Sequence, residues 1–146
     1  MNIPVKVKKL RANAVVPSYE TAGSAGCDLR ACLDEAAVIA PGETVMIPTG
    51  LSMEIPEGYV GLVFARSGLS TKKGLAPANK VGVIDSDYRG EWMVGLLNHS
   101  GETRTVEPGE RIAQAVFVPV VTAKFRETET LTDTARGAGG FGSTGR

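Results

Sequence analysis

The sequence predicts an all-β fold, a sandwich or barrel of short strands joined by tight turns. Three observations predict it. Apolar and polar residues alternate with period two, most clearly in Leu51-Ser52-Met53-Glu54-Ile55, as a half-buried strand requires. Turn signals recur about every 8–15 residues between β-rich runs. Glycine (18) and proline (8) together are in excess, about 18% of the chain against roughly 12% on average. A helical bundle would not tolerate that excess, because both residues weaken helix interiors.

Taken in order, the β-rich runs are Thr44–Ile47, Leu51–Ile55, Tyr59–Phe64, Val81–Ile84, Glu91–Leu97, Thr103–Val106 and Ile112–Val121. Their β-branched and aliphatic side chains suit a pleated surface packed on one face. Pro41-Gly42, Pro56-Glu57-Gly58, Arg89-Gly90 and Pro108-Gly109 punctuate them with residues that favour turns. One stretch suggests a helix: Ser67 is placed to cap a short turn through Leu69, Ser70, Thr71, Lys72 and Lys73, ended by Gly74. Its start would aim unpaired N–H groups outward, where an anion can bind. From Leu131 to Arg146 five of sixteen residues are glycine and one is a large aromatic. Such a segment buries too little surface to fold alone. The expected organisation is one domain over residues 1–130 and a mobile arm over 131–146.

The chain has 146 residues, suited to one domain, and its 16 basic and 16 acidic residues cancel. No long-range field then favours duplex DNA or an anionic membrane, so phosphate would be handled by a local cluster of donors. Cys27 and Cys32 match neither a zinc knuckle nor a redox CxxC pair, and His99 is the single histidine; two reduced thiols are the simpler reading. Met1-Asn2-Ile3-Pro4-Val5-Lys6 has no apolar signal core, and the apolar stretch Ala115 to Ala123 is interrupted by Pro119. A cytoplasmic location is expected, and Asn98-His99-Ser100 then fits the glycosylation pattern only by chance.

Gly137-Ala138-Gly139-Gly140-Phe141-Gly142 spells a dinucleotide fingerprint in the wrong place, since that motif follows a strand and opens a helix. Arg136 and Phe141 among these glycines instead suit an arm that orders on a ligand. Arg66-Ser67-Gly68 lies where a strand gives way to the short helix. There a guanidinium fork, a hydroxyl and backbone N–H groups can converge on phosphate oxygens, or simply cap and line a rim. Arg111 and Gln114 are three residues apart, on opposite faces of a regular strand; only a bulge would bring both to one ligand. Asp85 follows the apolar run Val81–Ile84, which places a carboxylate at the end of a buried strand, a good position for a general base.

Together these segments resemble the five motifs of the trimeric dUTPase family, in order and over about residues 23–146. They are Ala25-Gly26-Cys27-Asp28-Leu29-Arg30-Ala31, Ala65-Arg66-Ser67-Gly68-Leu69-Ser70, Gly82-Val83-Ile84-Asp85-Ser86-Asp87-Tyr88-Arg89-Gly90-Glu91, Gly109-Glu110-Arg111-Ile112-Ala113-Gln114 and Arg136 through Gly145. The family usually has Pro at position 65 and Ala at 70, where this chain has Ala65 and Ser70; neither side chain carries the chemistry.

The resemblance implies a jelly-roll-like sandwich with one short helix, and Mg²⁺-dependent hydrolysis of dUTP to dUMP and pyrophosphate. Asp85 would be the general base for in-line water attack on the α-phosphorus. Arg66, Ser67, Gly68 and Gln114 would hold phosphate oxygens, Arg136 would close on the γ-phosphate, and Asp28 would act through water on the ion held mainly by the triphosphate. Arg111 would either touch phosphate or brace the site through an ion pair. Asn79, Gly82 and the third-motif hairpin would read the uracil edge and leave no room for a 5-methyl group. Tyr88 would lie under the deoxyribose and collide with a ribose 2′-hydroxyl, while Phe141, with Gly142 and Ser143, would arrive on the arm and stack on the base. The family is a homotrimer with sites shared among three chains, binding neither nucleic acid nor membrane stably. Alternatives are a relative that deaminates dCTP, a non-catalytic nucleotide-binding regulator, and a structural sandwich module.

Overall fold

The computed structural model describes residues 2–141. Eleven strands account for nearly all its regular structure: β1 Lys6–Lys9, β2 Cys27–Arg30, β3 Ala37–Ile39, β4 Thr44–Pro48, β5 Leu51–Glu54, β6 Tyr59–Phe64, β7 Leu75–Pro77, β8 Gly82–Ile84, β9 Met93–Asn98, β10 Arg104–Val106 and β11 Arg111–Pro119. All pairings are antiparallel, in a four-stranded sheet β2-β11-β6-β8, a three-stranded sheet β4-β9-β7, and the pairs β1-β5 and β10-β3. The result is a jelly-roll-like β-sandwich.

Alternation puts the core between these layers. Trp92, Leu29, Ile39, Ile47, Leu51, Leu75, Leu96 and Ile112 are fully buried, and Trp92 tilts against Phe117 at a ring-centroid distance of 6.3 Å. Each buried aliphatic side chain contributes about 1.5–3 kcal/mol. Asn98 is the most deeply buried of three buried polar residues among those described, with Thr49 and Ser52, and its amide is fully used. Nδ2 donates to Ile39 O (2.9 Å) and Glu102 O (2.8 Å), while Oδ1 accepts from Ser100 N (3.0 Å) and Ser100 Oγ (2.7 Å). The glycosylation pattern around it therefore marks a core hydrogen-bond hub. Cys27 and Cys32 are free and buried.

The single helix, Leu69–Lys73, is a π-type turn. Ser67 does not cap it: the N-cap is Gly68, with no side-chain cap bond, and Ser67 O instead accepts from Thr71 Oγ1. Gly74 ends it as expected, left-handed at φ 69°, with its N–H turned back to Leu69 O and Ser70 O. No helix among the described residues is long and apolar enough to cross a membrane.

β11 ends at Pro119, two residues before the apolar run does, and the chain over 120–138 is exposed and outside any strand. Val121, Phe125 and Leu131 there are 95%, 93% and 87% exposed.

Candidate active site

The first constellation sits where β2, β11 and β6 lie side by side. In β2 the pattern Cys27-in, Asp28-out, Leu29-in sends the Asp28 carboxylate to the outer face while Leu29 anchors the strand in the core. Gln114 is directly opposite Asp28 on β11 and opposite Phe64 on β6, so it stands beside the bend that follows β6. Its Nε2 donates to Ala65 O at 2.9 Å and ties that bend down. Arg66, on the bend, donates from Nε to Asp28 Oδ1 at 2.7 Å. Arg111 donates from one terminal nitrogen to Asp28 Oδ2 at 3.2 Å, and Glu20 Oε2 lies 3.5 Å from the same nitrogen.

Arg111 and Gln114 reach one side because β11 carries an irregularity. Arg111 faces Arg30 and Ala113 faces Leu29, with Ile112 as the extra residue between them. Ile112 and Ala113 are both buried, which resets the alternation and leaves Arg111 and Gln114 on the same outward face. Both Asp28 oxygens accept from guanidinium groups, and each such charge-assisted bond contributes about 1.5–3 kcal/mol where water is partly excluded. The terminal nitrogens of Arg66 hold no partner among the described residues. In this structure Arg111 braces the site by its ion pair with Asp28.

The second constellation is the hairpin after β8. Gly82 is buried opposite Val63; a Cβ there would stand 3.2 Å from Val63 Cβ and 3.5 Å from Asn79 Nδ2. Asp85 comes next after Ile84, which pairs with Gly61. The expectation of a carboxylate at a buried strand's end is corrected here: β8 is an edge strand, Val83 is 63% exposed, and Asp85 is exposed. Asp85, Tyr88, Val83, Ile84, Glu91, Trp92 and Met93 line a crevice of about 220 Å³. Tyr88 donates from its hydroxyl to Glu91 O at 3.1 Å, and Arg89 clamps the turn through Ser86 O at 2.7 Å.

The two constellations sit toward opposite ends of β6: Val63 pairs with Gly82 near the end that leads to Arg66, and Gly61 pairs with Ile84 near the other. Gly61 and Arg66 are five residues apart along the chain, at most about 17 Å at roughly 3.3 Å per residue. Arg136 and Phe141 lie on the exposed tail, where Arg136 Nε donates to Gly139 O at 2.8 Å and Phe141 is fully exposed. Gly142 and Ser143 lie outside the described residues. Two further residues matter through the folded positions of their neighbours: Glu20, the second acceptor for Arg111, and Gly90, which lies beneath Tyr88. Glu20 stands outside the five motifs, and Gly90, within the third, reads in the sequence only as turn punctuation.

An antiparallel sandwich that presents guanidinium donors around a braced carboxylate, with a separate aspartate–tyrosine hairpin, defines an all-β protein built to bind a polyanionic ligand. Comparison with known proteins narrows that class. The sequence profile of the dUTPase family matches residues 12–145. A deoxyuridine 5'-triphosphate nucleotidohydrolase of Neisseria meningitidis is 53% identical over 99% of both chains, and one of Acinetobacter baylyi is 51% identical over 100% of this chain and 99% of its own. Among solved structures, the Staphylococcus bacteriophage 80alpha dUTPase with dUPNHPP superposes with a TM-score of 0.90 at 31% identity, covering 99% of this chain and 100% of that one. A mutant dUTPase from phage phi11 of S. aureus, described with a structural Mg(II) ion, has a TM-score of 0.79 at 29% identity, over 88% of this chain and 98% of that one. The chain belongs to the dUTPase family, hydrolases that convert dUTP to dUMP.

Proposed function

We propose that the chain hydrolyses dUTP to dUMP and pyrophosphate at sites assembled from several copies. Arg66, Ser67, Gly68 and Gln114 of one copy hold the phosphates, and Asp85 from a second activates water. The observation that carries this reading is the braced cradle: Asp28 neutralises Arg66 Nε and Arg111 in place, so the remaining Arg66 donors are preorganised for anionic oxygens. Family membership supports the substrate, and the placement of the two constellations toward opposite ends of β6 supports a shared site in a homotrimer.

In the mechanism, Asp85 orients a water molecule, accepts its proton and directs the oxygen in line at the α-phosphorus, with pyrophosphate leaving. Arg66, the Ser67–Gly68 turn and Gln114 stabilise charge on the phosphate oxygens, and Arg136 closes on the γ-phosphate from the tail. Asn79, Gly82 and the third-motif backbone read the uracil edge. A cytosine amino group there leaves a buried group mispaired. Phe141, with Gly142 and Ser143, covers the base.

The residues present fit Mg²⁺ held mainly by the triphosphate. Both Asp28 oxygens already accept from guanidiniums, which suits an outer contact through water rather than direct ligation. When bound, the ion neutralises charge on the triphosphate.

The test is pyrophosphate release from dUTP, dTTP, dCTP and UTP with and without Mg²⁺, for the native chain and Asp85→Asn. Removing a general base should lower kcat by about 10²–10⁴ while dUTP still binds. Full turnover by Asp85→Asn contradicts the assigned base; ammonia from dCTP would favour the deaminating alternative.

A further inference from the structure

Position 90 looks like turn punctuation, yet the structure gives its glycine a different reason. Gly90 does not have positive φ, so its backbone conformation is open to any L-residue. What is closed is space. A Cβ at position 90 would fall 2.5 Å from Tyr88 Cζ and 2.9 Å from Tyr88 Cε2, and would overlap the hydroxyl oxygen as well. The hydroxyl end of the Tyr88 side chain lies over residue 90, and its hydroxyl reaches Glu91 O at 3.1 Å. A Cβ at position 90 displaces that end: a turn about the side chain's own torsions carries the hydroxyl off residue 90 and disturbs its bond to Glu91 O.

We propose that Gly90 is a positioning residue for substrate discrimination, acting through Tyr88 by leaving free the space that the hydroxyl end of its ring occupies. The inference rests on the reading of Tyr88 as the wall against a ribose 2′-hydroxyl. It adds that the wall is held in place because residue 90 has no side chain. Tyr88 is 44% exposed, so it has room on its solvent side to move without opening the core. The 2′ position then faces open space, and the nucleoside triphosphate with a ribose is no longer refused. Steric refusal of an added hydroxyl is worth up to about 10²-fold, so a large part of that factor is at stake.

The experiment compares kcat/KM for dUTP and UTP in the native chain, Gly90→Ala, Tyr88→Ala and the double variant, each checked for its melting temperature. The expected result is a fall in the dUTP/UTP ratio of about tenfold or more in Gly90→Ala. The same ratio is expected in Tyr88→Ala and in the double variant, because all three lack a positioned ring. If Tyr88→Ala loses discrimination while Gly90→Ala keeps it, the inference is overturned and the site reading stands. If Tyr88→Ala keeps discrimination, the reading of Tyr88 fails and takes the inference with it. Should Gly90→Ala unfold, a folded double variant still locates the conflict in the Tyr88 ring, whereas an unfolded double variant overturns the proposal.

Discussion

Mixing two dead variants should restore activity. Arg66→Ala removes the phosphate cradle's free donors and Asp85→Asn removes the base, so each homogeneous preparation has negligible turnover. Ile84 pairs with Gly61, near the start of β6, while Arg66 follows its end, so Asp85 and Arg66 lie toward opposite ends of that strand and in the proposed site come from different copies. If each site takes Arg66 from one copy and Asp85 from another, unfolding and refolding a 1:1 mixture distributes the two variants at random. The Arg66 donor is intact at half of the sites and, independently, the Asp85 donor at half. About one quarter of the sites are then complete, so about a quarter of native activity should return, against nearly none in either variant alone. The assay is pyrophosphate release after co-refolding, with each variant refolded separately as control. A mixture no more active than its parts would refute the division of the site between copies. A return near one half would also contradict it, because that exceeds what random pairing allows.

Asn98→Ala should cost about 2–4 kcal/mol of unfolding free energy in a denaturant titration, since it strands the Ile39 carbonyl in the core and takes one partner each from the Glu102 carbonyl and the Ser100 N–H. Burial pushes the Cys27 thiol above its ordinary value of 9.0, so the folded chain resists ionising it. The stability from that resistance is present below about pH 9 and lost as pH rises through the thiolate range; the native chain's melting temperature should therefore fall more steeply above pH 9 than that of Cys27→Ala. Equal slopes would assign the alkaline loss to other groups. Phe141→Ala should weaken binding of a non-hydrolysable dUTP analogue by about 1–3 kcal/mol, measured by calorimetry, if the ring stacks on uracil; unchanged affinity would leave Arg136 as the arm's sole contact.

Most of the sandwich was legible because its longer strands are β-branched and aliphatic runs set off by turn residues: β4, β5, β6, β9 and β11 fall on the expected runs within a residue or two. β1 was not, since Lys6, Lys8 and Lys9 make it read as loop; it is a solvent-facing strand held by register on β5, with Lys6 Nζ 2.7 Å from Glu54 Oε1. β2, β3 and β7 are three or four residues long, too short to show a period. In the candidate site the spacing of Arg111 and Gln114 was uninformative until the extra residue at Ile112 appeared, because a bulge is a fact about pairing between strands. The exposure of Asp85 was also hidden: an apolar run announces burial without saying whether its own chain or another supplies the cover.

If Arg136 and Phe141 close over the site as proposed, the exposed stretch after β11 is their tether. Arg136 stands seventeen residues after Pro119, a contour of about 56 Å at roughly 3.3 Å each, longer than the roughly 30–40 Å diameter of a domain this size. A cap on such a leash stays in the neighbourhood of its target at an effective concentration on the order of millimolar, so modest contacts suffice to close it and nothing prevents its release. Clipping the leash at Lys124 or Arg126, both in the exposed stretch, would turn that local closure into a bimolecular encounter. The severed tail, added back as a peptide, would then have to be supplied at about that millimolar level to act at all.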